Sequence, residues 1–149
     1  MPQSRVKLYT IGFSRKSAER FFETLRAAGV RRVIDVRLHN TSQLSGFTKK
    51  DDLAYFLGRF GIDYVHEPNL APSPELFDAI KGGRIEWPEY ETRFRELMSR
   101  RRVVERVDRR IFDAGCLLCT EPGPEHCHRR LVAEALARAW KDVEIDHLR

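Results

Sequence analysis

Short apolar runs alternate along this chain with stretches of helical period, and that alternation admits few architectures. Five runs are of strand length and rich in apolar side chains: "VKLYTI" (6–11), "RRVIDVR" (31–37), "IDYVHEP" (62–68), "GCLLCT" (115–120) and "VEID" (143–146). Between the first two, Ala18, Phe21, Phe22, Leu25 and Ala28 make one helical stripe over 17–28, ended by Gly29. "TKKDDLAYFLGRFG" (48–61) has Thr48 as its expected N-cap, a stripe of Leu53, Phe56, Leu57 and Phe60, and Gly61 as a stop. "SPELFDAIKGG" (73–83) opens with Ser73 as N-cap and Pro74 in the first turn, and stops at Gly82 or Gly83. A longer helix enters through Pro88, a short one is expected over 103–112, and another over 125–140. Strands that alternate with helices make βαβ units with right-handed crossovers. "VIDV" and "CLLC" are apolar throughout, as strands covered on both faces are. The expected fold is a single α/β domain, 1–149, of three layers: a mostly parallel β-sheet flanked by helices. The run 143–146 is expected as its edge strand.

Composition sets the class of partner. A chain of 149 residues, 42% hydrophobic and 33% charged, buries a core without disulfide or metal staples. No apolar run is long enough to cross a bilayer, so no membrane partner is expected. The N-terminus lacks an apolar core of signal-peptide length, and the three cysteines read as thiols, so a cytoplasmic location is expected. The formal net charge of +5 favours anionic partners such as a nucleotide or nucleic acid. The densest basic run, "SRRRVVERVDRR" (99–110), reads first as a solvated face and second as a nucleic-acid patch.

In open parallel sheets, ligands bind beyond the carboxyl ends of the strands. The unusual polar residues of this chain fall there. The first strand leads from Thr10 into Gly12 and Ser14, and the second ends in Asp35 and Arg37. The third ends in His66 and Glu67, and the fourth in Cys119 and Glu121. Strand parity puts Asp35 and Arg37 on one face, and Cys119 and Glu121 on one face. The same parity sends Cys116 to the opposite face, as core. A helical wheel over 125–140 centres a buried stripe on Leu131, Val132, Ala135, Leu136, Ala139 and Trp140. It turns His128 inward, sets Arg129 on the flank, and sends His126, Cys127 and Arg130 away. Cys119, Glu121, His126, Cys127 and His128 are all competent zinc ligands. However, the stretch has no CxxC pair, and the wheel separates Cys127 from His128, so no cofactor or metal is expected; structural zinc is the lesser alternative.

"YTIGFS", "VIDVR", "SQLSGFTKKDDLAYFL" and "LLCTEPGPEHCHRRLVAEAL" together resemble the family catalogued as domain of unknown function 488. The match carries onto Thr10, Ile11, Gly12, Ser14, Asp35, Val36, Arg37, Cys119, Glu121, Cys127, His128 and Arg129. Phe13 stands where the family often has histidine. The resemblance implies an α/β fold and a recurrent polar site, and it implies no activity. A looser likeness to rhodanese and cysteine-phosphatase folds fails at one position. Where their cysteine loop needs an arginine this chain has Glu125, which would repel an oxyanion.

The leading functional expectation is an enzyme acting on a phosphate-bearing substrate, nucleotide or nucleic acid. Arg37 and Arg129, with Thr10, Gly12 and Ser14, would bind the anion. His128, Asp35 or Glu121 would move a proton, and Cys119 is the candidate nucleophile. The alternatives are a binding module without chemistry, and a polar cluster that only locks the loops through Asp35–Arg37 and Glu121–Arg129 pairs.

Overall fold

A computed structural model describes residues 5–41, 46–121 and 123–149. Its sheet has five parallel strands: β1 (Val6–Gly12), β2 (Arg32–Asp35), β3 (Asp63–His66), β4 (Gly115–Cys119) and β5 (Val143–His147). Their spatial order is β3-β2-β4-β1-β5. Among the described residues six α-helices flank it: α1 (Ala18–Ala28), α2 (Lys50–Arg59), α3 (Pro74–Lys81), α4 (Trp87–Arg101), α5 (Val103–Arg106) and α6 (His128–Trp140). None is long and apolar enough to cross a membrane. The three-layer parallel α/β architecture is the one the sequence predicts, with β5 as an edge strand on β1.

Strand alternation divides the core between two faces. Tyr9, Ile11, Val33, Cys116 and Leu118 pack with Phe21, Phe22, Leu25, Leu53 and Leu57 of α1 and α2. Leu8, Ile34, Leu117 and Cys119 pack with Phe94, Met98, Leu131, Val132 and Leu136 of α4 and α6. The chain therefore leaves β1 and β2 toward one face, but leaves β4, which lies between them, toward the other. That reversal opens a crevice at the carboxyl ends of β1, β2 and β4, the usual ligand position in such sheets.

The predicted Gly29 stop of α1 and Ser73 cap of α3 are present, and Ser17 caps α1 as well. Ser17 and Ser73 accept from the Arg20 and Leu76 amides, and Gly29 closes α1 with φ +79°. Three boundaries differ. Thr48 is not the cap of α2: it closes a 3-10 turn (Gly46–Thr48), its carbonyl accepts from Arg37, and Lys49 takes the N-cap position without a side-chain bond. The expected helix over 103–112 divides into α5 and a 3-10 turn (Arg109–Phe112) that Asp108 caps. Helix α6 starts at His128, not at 125, because Cys127 is still extended (φ −140°, ψ 138°).

Candidate functional site

Three groups of side chains meet at the carboxyl edge. The first is centred on Asp35, which is fully buried at the end of β2. Its carboxylate accepts from the Arg37 backbone amide at 3.1 Å, from Arg37 Nε at 2.9 Å and Nη2 at 2.8 Å, from the Tyr64 hydroxyl at 2.6 Å and from Asn40 Nδ2 at 3.4 Å. Arg37 is itself buried, donates to the Thr48 carbonyl and lies over the Phe13 ring. Burial alone would raise the Asp35 pKa. The bonds and charge of Arg37, with the Tyr64 hydroxyl, outweigh it and hold the carboxyl below the usual range. His66 Nε2 lies 3.1 Å from the Arg37 carbonyl, and the Glu67 amide donates to the Asp35 carbonyl. This group binds the loops after β2 and β3 into one unit and engages the Arg37 guanidinium within the protein.

The second group is Cys119, Cys127 and His128. Backbone bonds hold the strand ends together around it: Phe13 and Ser14 donate to the Cys119 and Thr120 carbonyls, and Val36 donates to Leu118. Cys119 ends β4, Cys127 precedes α6 and His128 opens it; all three are buried. One donor atom from each lies within 4.8 Å of the others. His128 Nε2 is 2.7 Å from the Val36 carbonyl, which can only accept, so Nε2 carries a proton. Nδ1 then faces the thiols, 3.6 Å from Cys119 Sγ. The Phe94 ring packs against the imidazole, with centroids 5.4 Å apart. The hydrogen bond to Cys127, together with burial, pushes the Cys119 thiol up. Burial would also raise Cys127, but Cys119, His128 and the Arg129 charge outweigh it and the Cys127 thiol is held down.

The third group is Arg129 and the cleft beside it. Arg129 is fully buried, with Nη1 donating to the Glu121 carbonyl at 2.7 Å. Its Nε and Nη2 are the buried side-chain donors that find no partner among the described residues. Gly12 makes this packing possible, since a Cβ there would overlap the Glu121 carbonyl and press on Arg129 Nη1. The adjoining cleft, about 350 Å³, is lined by Ser14, Arg15, Lys16, Arg20, Gly123, Glu125 and Arg149. Four cationic side chains thus face one carboxylate, itself 3.2 Å from Arg149. Desolvation, and then the charges of Arg20, Arg129 and Arg149, lower the Lys16 pKa. The Arg129 charge therefore reaches both the cleft and the thiols.

The sequence-predicted residues fall into these groups unevenly. Cys119 and His128 lie together, Arg129 is fully buried rather than on the flank of the helix and abuts Gly12, and Cys116 is core on the opposite face. Cys127 is a correction: it is buried beside His128, because the wheel was applied to a residue that precedes the helix. His126 does turn away, stacking on Trp87, and Arg130 pairs with Glu91 and Glu134. The Glu121 side chain is exposed, and β4 ends before it, so its contribution is a carbonyl. Thr10 is buried on β1, with Oγ1 2.6 Å from His147 Nδ1, and Ser14 lines the cleft. Tyr64, Asn40, Lys16, Arg20 and Arg149 carry no motif signal and enter only through the fold. Of "SQLSGF", Ser42–Ser45 lie outside the described residues.

Fold and site together define an α/β domain with a parallel sheet covered on both faces and a thiol–imidazole cluster at its topological reversal. The chain belongs to the family described as domain of unknown function DUF488, which matches residues 17–136. No curated protein and no solved structure matches it.

Proposed function

We propose that this protein is an enzyme acting on a phosphate-bearing substrate, a nucleotide or the phosphate of a nucleic acid. One observation carries the reading: a cleft lined by four cationic side chains and one carboxylate, with the charge of the buried Arg129 acting on Lys16 in it. Like charges so crowded repel, and an anion in the cleft relieves that repulsion. Lys16, Arg20 and Arg149 hold the phosphate, and the Arg129 charge adds to the field there. The cleft is of a size that takes a mononucleotide. We assign the reaction to Cys119, Cys127 and His128, which lie together at the end of β4 and the start of α6, on the same edge of the sheet.

The basic run of 99–110 supports a nucleic-acid patch poorly. Arg101 donates to the Asn69 and Ala71 carbonyls, and Arg109 and Arg110 pair with Asp142 and Asp108. The run also leads into the start of β4, at the opposite edge of the sheet.

The test is phosphorus NMR of nucleotide mixtures incubated with the protein. The wild type is expected to produce new phosphate resonances, and His128→Ala none. An unchanged spectrum with every nucleotide and oligonucleotide tried, together with no phosphate-dependent rise in melting temperature, would overturn the reading.

A further inference from the structure

We propose that Cys119, Cys127 and His128 form a zinc site, with Cys119 Sγ, Cys127 Sγ and His128 Nδ1 as ligands. The proposal concerns the side chains to which the phosphate reading assigns the reaction, and metal binding tests it without reference to turnover. A tetrahedral zinc with Zn–S of about 2.3 Å and Zn–N of about 2.0 Å sets its donor atoms roughly 3.5–3.8 Å apart. The Cys119 Sγ–His128 Nδ1 distance is 3.6 Å, and all three donor atoms lie within 4.8 Å of one another.

Three further features suit a metal. The imidazole presents Nδ1 because its other nitrogen donates to the Val36 carbonyl, the outer-shell bond that orients metal-bound histidines. Cys127 occupies the N-cap of α6, where serine, threonine, aspartate or asparagine is favoured, yet it makes no capping bond. Its sulfur faces Cys119 and His128 instead. Phe94 packs against the imidazole, and Leu131 and Val132 belong to the same buried core as the two cysteines. Two thiolates balance a divalent charge, and thiolate with imidazole is the donor set that selects zinc over magnesium or calcium. Binding displaces the thiol protons to solvent and changes no oxidation state. Three protein ligands leave the fourth position to an exogenous ligand, water in the first instance.

The full chain, purified reduced and metal-free, is titrated with Co²⁺ and then Zn²⁺. One equivalent of Co²⁺ should give thiolate-to-cobalt charge-transfer absorption and the intense visible bands of a tetrahedral site, and Zn²⁺ should abolish both. Cys127→Ser places a good capping residue at the N-cap and so should stay folded. It should lose more affinity than the roughly tenfold that removal of an outer-shell partner costs. Cys116→Ser, on the other face of the sheet, should bind as the wild type does. A folded, reduced wild type that takes up no cobalt overturns the proposal. So does a Cys127→Ser variant with the wild-type spectrum. Retention of phosphate binding by Cys127→Ser, with cobalt binding lost, separates the fate of this site from that of the phosphate cleft.

Discussion

Replacing Asp35 with asparagine tests whether the carboxyl edge rests on a buried ion pair. Asp35 is fully buried and Arg37 nearly so, and the carboxylate accepts five hydrogen bonds. Asparagine keeps one oxygen but sets an NH₂ group against Arg37 Nη2, the Tyr64 hydroxyl and Asn40 Nδ2, all donors. It also removes the carboxylate with which the buried guanidinium is paired. Breaking one partner of such a pair costs about 3–5 kcal/mol. In a domain of this size each kcal/mol lowers the melting temperature by about 2–4 °C, so a fall of roughly 6–20 °C is expected.

The sign of the pH dependence follows from the depressed Asp35 pKa. In the unfolded chain the group titrates near about 3.9; in the folded protein it titrates lower. The stabilisation is complete above the unfolded value and is lost as the pH falls through the folded one. Urea melts of both proteins from neutral pH to pH ~2 should therefore converge in acid. If asparagine costs under about 1 kcal/mol at neutral pH, well below the range for a broken buried pair, or the gap does not narrow in acid, the reasoning fails.

Other expected outcomes follow from the same contacts. Tyr64→Phe removes one charge-assisted bond to Asp35 and should cost about 1.5–3 kcal/mol in urea melts, with part of that cost lost in acid. Gly12→Ala forces a Cβ onto the Glu121 carbonyl. It should cost about 1–3 kcal/mol in thermal melts and disturb the Arg129 bond. Ser73→Ala removes the cap of α3 and should cost about 1 kcal/mol with no effect on ligand binding.

The alternation of strand and helix made the architecture readable, because burial on both faces leaves apolar runs of strand length. Strand parity separated Cys116 from Cys119, and the helical stripe turned His128 inward. Three things were not readable. Strand order decides that β4 lies between β1 and β2, and with it the crevice; it follows from tertiary packing of all the elements. The start of α6 lies three residues later than the periodicity predicts, so Cys127 is extended and helical periodicity does not govern where its side chain points. The partners of Asp35 come from separate loops, each polar and unremarkable alone. Arg149 reaches the cleft only because β5 runs parallel beside β1 and carries the chain to the same edge.

Calorimetric titration with a nucleoside monophosphate, against the unphosphorylated nucleoside as control, tests the central claim most directly. The wild type should bind the phosphorylated ligand and not the control, more weakly as salt rises. Lys16→Ala combined with Arg20→Ala removes two charge-assisted contacts of about 1.5–3 kcal/mol each, so affinity should fall about 100-fold or more. No binding by the wild type, or equal binding by the double variant, would contradict a phosphate site at this edge.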